Sequence, residues 1–101
     1  MTKRYKKFAD FYPFYLSQHT NLICRRLHFV GSSLIISLFF YVVVFGGLYL
    51  LLIIPFIGYG FAWVGHFIFE KNRPATFTYP LYSLIGDWVM FKDMVIGKIK
   101  F

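Results

Sequence analysis

Between Phe29 and Phe69 the only Asp, Glu, Lys, Arg or His is His66. A run this long and this apolar is a membrane segment, and the pair Gly46-Gly47 divides it into two arms. About 17 to 25 apolar residues suffice for a helix to cross a bilayer core. Each arm is therefore long enough to span, and the chain is expected to fold back at the glycines as a helical hairpin.

A hairpin sets depth. Residues equally far from the turn lie level when both arms rise about 1.5 Å per residue, which puts His28 and His66 side by side. His19 precedes the first arm by a few residues, and Glu70 follows His66 by four, one α-helical turn on the same face. All three histidines of the chain and this glutamate are thus expected to converge at one membrane face.

With 58% hydrophobic and 24% aromatic residues, a water-soluble monomer would have too little polar surface to cover itself. The net charge of +7 does not indicate nucleic acid, because the cations bracket apolar helices instead of forming an exposed basic face; anionic lipid headgroups are the expected partners. Lys3, Arg4, Lys6, Lys7, Arg25 and Arg26 precede the first arm and Lys71, Arg73, Lys92, Lys98 and Lys100 follow the second, while the turn has no charge. Both termini are then expected on the cytoplasmic side. No apolar segment with a small-residue cleavage site occupies the first twenty residues, so no signal peptide is expected. Cys24, the single cysteine, permits no internal disulfide and reads as an inert interfacial thiol.

The fold expected is an all-α membrane protein of four helices in one domain, residues 1–101. Tyr5, Phe8, Tyr12 and Tyr15 form one face of an amphipathic N-terminal interfacial helix that Pro13 starts or kinks. The spans run from about Leu22 to Phe45 and from about Leu48 to Glu70, the second bent at Pro55 and Gly58-Tyr59-Gly60. After a polar connection ending in Arg73-Pro74, a C-terminal apolar helix from about Pro80 to Lys98 carries Leu81, Leu84, Ile85, Trp88 and Val95 on one stripe, packing on the hairpin or lying in the interface, with Asp87 off it.

Imidazole is the commonest metal-ligating side chain, and a neighbouring carboxylate suits iron, manganese or zinc. His19 and His28 are too far apart for a compact helical ligand pair, but a break near Asn21 lets the first helix bring His19 back to His28. The alternative is that the histidines only solvate among headgroups. Asp87 has no cationic helical neighbour, so it either orients a ligating histidine or pairs with Arg25, Arg26 or Arg73. Arg25, Arg26, Lys71 and Arg73 are either topological charge or a site for a carboxylate or acidic headgroup, which guanidinium forks match. Trp63, Phe67 and Trp88 read as packing or belt residues.

Three segments carry a resemblance: Phe11-Tyr12-Pro13-Phe14-Tyr15-Leu16-Ser17-Gln18-His19, Arg25-Arg26-Leu27-His28-Phe29-Val30-Gly31, and Gly65-His66-Phe67-Ile68-Phe69-Glu70-Lys71-Asn72-Arg73-Pro74-Ala75-Thr76-Phe77. The chain resembles, over nearly its whole length, the bacterial branch of a small membrane-protein family whose fungal members are iron(II)-dependent dioxygenases of 2-hydroxy fatty acids in alpha-oxidation. The resemblance implies an iron(II) cofactor held by His19, His28 and His66, with Glu70 as a fourth ligand or a partner of the ligands. It also implies a long-chain 2-hydroxy fatty acid and dioxygen as reactants, a fatty acid one carbon shorter as product, and Arg25, Arg26, Asn72 and Arg73 as substrate-binding residues, Arg73 for the carboxylate. The setting implied is the bacterial cytoplasmic membrane, or the endoplasmic reticulum in a eukaryote. Two other readings stay open: a non-catalytic membrane protein that binds anionic headgroups or organises a partner complex, and a zinc-dependent lipid hydrolase. The oligomeric state is left open as well.

Overall fold

The computed structural model describes residues 5–101, which form four helices and no strand. Lys3 and Arg4, counted above among the orienting charges, lie outside the described residues. Helix α1 (Phe8–Ser17) is followed by α2 (Leu22–Phe45), a second long rod (Leu48–Glu70), and α4 (Pro80–Val95). The rod is continuous, but its winding changes along it. It is 3-10 over Leu48–Ile53, α over Ile54–Val64 (α3) and π over Gly65–Glu70.

Local chemistry accounts for these limits. The Asn21 side chain accepts the Cys24 N–H at 3.1 Å, satisfying a donor that the first turn of α2 leaves without a partner. Gly46 and Gly47 have φ of +86° and +92°, where a Cβ would be strained, so the chain reverses there. Pro55, expected to bend the second rod, instead sits in the first turn of α3, where a missing N–H costs nothing. The helix also runs on without interruption through Gly58-Tyr59-Gly60. Pro13 lies inside α1 and neither starts nor ends it.

Leu22–Phe45 and Leu48–Glu70 are long and apolar enough to cross a membrane. Only 17% and 6% of their most apolar windows is buried, which separates them from the core helices of a water-soluble protein. They approach closely where glycine permits it. A Cβ on Gly31 would stand 3.0 Å from the Phe61 Cβ, and one on Gly65 would stand 3.2 Å from the Cys24 Cα.

The packed core lies beyond the charged end of this hairpin. Phe11 and Tyr15 of α1 meet Ala75, Tyr79, Met90 and Met94, with the Phe11 and Tyr79 rings 5.1 Å apart. The inner face of α1 is thus turned onto α4, centred on Phe11 and Tyr15, and Tyr5, Phe8 and Tyr12 pack around it. The expected apolar stripe of α4 is not the packed one. Leu81, Leu84, Ile85, Trp88 and Val95 are exposed, and the buried side is Ser83, Gly86, Met90, Asp93 and Met94. Where lipid is the solvent, apolarity does not favour the inside, and small residues mark the contact: a Cβ on Gly86 would stand 3.0 Å from the Tyr15 ring.

Candidate metal centre

Each histidine arrives from a different element. Helix α1 ends at Ser17 and α2 starts at Leu22, so His19 sits in the short connection and turns back toward the hairpin. His28 lies on α2, and His66 lies in the π-wound stretch. Their rings are mutually near-perpendicular, with centroids 4.5 Å (His19–His28), 4.5 Å (His19–His66) and 5.0 Å (His28–His66) apart. One ligand nitrogen from each lies within 4.8 Å of the others. All three are buried, at 1%, 7% and 2% exposure.

The bonds on the far side of each ring decide which nitrogen faces inward. His19 Nδ1 is 2.7 Å from the Tyr15 carbonyl, and His28 Nδ1 is 2.9 Å from the Cys24 carbonyl. His66 Nδ1 is 2.7 Å from Asn72 Oδ1. That amide is oriented in turn, because its Nδ2 donates to the Gln18 carbonyl at 3.0 Å. All three partners are acceptors only, so each Nδ1 carries the proton and each Nε2 keeps its lone pair. His19 Nε2 and His28 Nε2 are 3.2 Å apart. Bare nitrogens so close repel unless a cation lies between them. A proton is a poor candidate, since burial first, and then His28 and His66, hold the His19 imidazolium well below its usual range. The donor set therefore fits a transition-metal ion, and outward Nδ1–H bonds are the usual way ligating histidines are oriented.

Among the described residues the cluster is the three histidines alone. Glu70, expected on the same face as His66, turns elsewhere: Oε1 accepts from the Thr20 N–H and hydroxyl at 3.1 and 2.7 Å, and Oε2 from the Asn21 N–H at 2.5 Å. The four-residue spacing still puts Glu70 near the His66 side of the rod, but these three bonds direct its carboxylate to the Thr20–Asn21 turn. Its carboxylate pins the turn that presents His19. Asn72, expected to bind substrate, has both ends of its amide committed, and its N–H also bonds the His66 carbonyl at 3.0 Å. Lys71, with φ of +59°, makes the left-handed step that brings Asn72 back.

The arginines stand outside the cluster. Arg25 Nη1 reaches the His19 and Thr20 carbonyls at 3.4 and 3.5 Å, Arg26 Nε reaches the Phe101 carbonyl at 3.4 Å, and the Arg73 guanidinium lies 5.0 Å from the centre of the Phe77 ring. Asp87 takes neither of its expected roles. It accepts from the Tyr15 hydroxyl, and burial pushes its carboxyl up to about 6 although that bond pulls the other way. Tyr15 is the residue that sequence reasoning underrated. Its carbonyl orients His19, its ring stacks on the His19 ring at 4.1 Å and its hydroxyl holds Asp87. An aromatic residue four before a histidine was the available signal. Ser83 was missed altogether: its hydroxyl is buried without a partner among the described residues and lines the same small cavity as the histidines.

A family model described as 2-hydroxy-palmitic acid dioxygenase Mpo1-like matches residues 5–99. The chain belongs to this family. No curated protein and no solved structure matches it. The family description names a dioxygenase of a 2-hydroxy fatty acid, and the buried histidine triad is a group able to hold the metal such chemistry employs.

Proposed function

We propose that this protein is an iron(II)-dependent dioxygenase that shortens long-chain 2-hydroxy fatty acids by one carbon while embedded in a membrane. The observation that carries this reading is the convergence of His19, His28 and His66 with every Nδ1 tied outward, in a chain whose family is described as 2-hydroxy-palmitic acid dioxygenase Mpo1-like. These three residues would hold the ion. Bound iron(II) supplies the dioxygen chemistry that no side chain provides.

In the proposed reaction the bond between C1 and C2 of the acid breaks. One dioxygen is consumed, C1 leaves as carbon dioxide, C2 becomes the carboxyl carbon of the shortened acid, and one water forms. The chain's own residues bind, orient and exclude water. Tyr15, Cys24 and Asn72 keep the three inner nitrogens deprotonated and aimed. Glu70 and Arg25 fasten the His19 turn from two sides. The Ser83 hydroxyl, without a partner among the described residues, is available to the polar head of the acid, and Arg25, Arg26 and Arg73 outside the cluster supply the positive potential that draws a carboxylate. The length and apolarity of the two spans support a position of this layer at the membrane surface, where an acyl chain would stay in lipid while its head reaches the site. The charges flanking both spans favour cytoplasmic termini, in the bacterial cytoplasmic membrane or, in a eukaryote, the endoplasmic reticulum.

The test is oxygen uptake and product analysis on detergent-purified protein with iron(II), a reductant and a long-chain 2-hydroxy acid. One dioxygen consumed per shortened acid, lost in His28→Ala and His66→Ala, is the expected result. A stable protein that consumes no oxygen yet binds anionic vesicles would replace this reading with headgroup binding.

A further inference from the structure

The cavity among the histidines is about 20 Å³, room for an ion or a water but not for an acyl chain. Beside it lies a second cavity of about 240 Å³ that shares His28, Tyr59, Ala62 and Asp87 with the first. Its wall on α2 is His28, Gly31, Ser32 and Ile35, the i, i+3, i+4, i+7 face of that helix. Its wall on α3 is Ile54, Gly58 and Ala62, one stripe that reaches His66 four residues later. Leu84 and Trp88 of α4 flank it. The groove thus starts at the histidine layer and runs along both spans toward the Gly46-Gly47 turn. From His28 to Ile35 it extends about 10 Å along α2. Two other hollows touch no histidine: one lies around Gly60 and Phe61, the other around Arg73 and Gln18.

We infer that this groove holds the acyl chain of the 2-hydroxy acid and that Gly58 and Ile35 set the chain length accepted, an inference that rests on the dioxygenase reading above. The polar head belongs at the histidine end, where His28 and Asp87 line the wall, and the tail belongs where the lining becomes apolar. Lipid is as apolar as the groove, so entering it brings no hydrophobic gain. Length is then selected by shape. Gly58 is the narrow point: a Cβ there would stand 3.4 Å from the Ile35 Cδ1, an ordinary contact that a methyl tolerates and that a larger side chain turns into a plug. Gly60, two residues on, opens to the opposite side, with nothing within 4 Å of its Cβ position.

The experiment compares full-length wild type, Gly58→Ala, Gly58→Leu and Gly60→Leu, loaded with iron(II), on 2-hydroxy acids from short to long. In parallel, a 2-hydroxy acid carrying a diazirine at its methyl end is photo-crosslinked to the iron-free proteins. The ratio of long-acid to short-acid rates is expected to fall about tenfold or more in Gly58→Leu, less in Gly58→Ala, and to stay at the wild-type value in Gly60→Leu. The label is expected on the groove walls near Ile35 and Ile54 and to be lost in Gly58→Leu. Equal loss at all lengths, an unchanged ratio, or a label confined to the outer lipid-facing side chains would overturn the inference. A wild type that oxidises none of the acids refutes the dioxygenase reading, and the label then still decides whether the groove takes the chain.

Discussion

Substituting alanine for Gly65 should weaken both the fold and the metal site, and the size of the effect follows from one close approach. The added Cβ would stand 3.0 Å from the Cys24 Sγ, 3.2 Å from its Cα and 3.4 Å from its carbonyl oxygen. The thiol can rotate away, but the Cα and carbonyl cannot, so α2 and the second rod must separate by a few tenths of an ångström. Overpacking of this kind costs about 1–3 kcal/mol. Alanine's better helix propensity returns up to about 1 kcal/mol. Gly60→Ala has the same propensity gain and meets nothing within 4 Å, so the difference between the two variants isolates the overpacking and should be about 1–3 kcal/mol. The same separation reaches the site, because the Cys24 carbonyl orients His28 and His66 is the next residue after Gly65. Cobalt(II) affinity should therefore fall about tenfold or more in Gly65→Ala and stay unchanged in Gly60→Ala. Unfolding in detergent and a cobalt titration, run on both variants, check these values. If Gly65→Ala matched Gly60→Ala in both, the close packing of Gly65 on Cys24 would be refuted.

Three further outcomes are expected. Because the Asp87 carboxyl lies at about 6 in the folded protein against an ordinary 3.8, the folded state binds the extra proton between those values. Stability should fall by about 3 kcal/mol as pH rises through that window; Asp87→Asn, which keeps an acceptor for Tyr15, should abolish the fall in unfolding midpoints. His19, whose folded value is depressed, acts with the opposite sign, losing stability as pH drops below about 6.5, so wild type minus Asp87→Asn is the quantity to plot. Asn72→Ala leaves His66 Nδ1 without its acceptor and should lower metal affinity about 10- to 100-fold in a titration. Glu70→Gln should cost about 1.5–3 kcal/mol of stability by weakening charge-assisted bonds to the Thr20–Asn21 turn, while metal analysis should still find one ion per chain.

Part of this architecture was legible from local chemistry. A stretch without charge, cut by two glycines, gave both spans at their observed limits, and counting outward from the turn put His28 level with His66. A break near Asn21 is what the distance between His19 and His28 in sequence calls for, and the structure has it there, with the Asn21 side chain capping α2. What stayed hidden depended on distant contacts. Glu70 follows His66 by four residues, but its carboxylate is taken by Thr20 and Asn21, 50 and 49 residues away, and nothing local announces that. The apolar stripe of α4 does not mark its buried side, because that side is set by contacts with α1, 70 and more residues away in sequence. Asp87 received plausible partners and missed its actual one, since Tyr15 lies 72 residues away and only the fold brings the two together. Asn72 is a substrate-binding residue by the resemblance, but its amide is committed to His66 and Gln18, and the left-handed turn at Lys71 is what brings it there.

The most direct measurement is an anaerobic iron(II) titration of the purified protein beside His19→Ala, His28→Ala and His66→Ala, with each variant's fold checked by circular dichroism. One ion per wild-type chain, lost or greatly weakened in every folded variant, is the result this account predicts. Iron uptake that survives all three substitutions, or a folded wild type that takes up none, would contradict it.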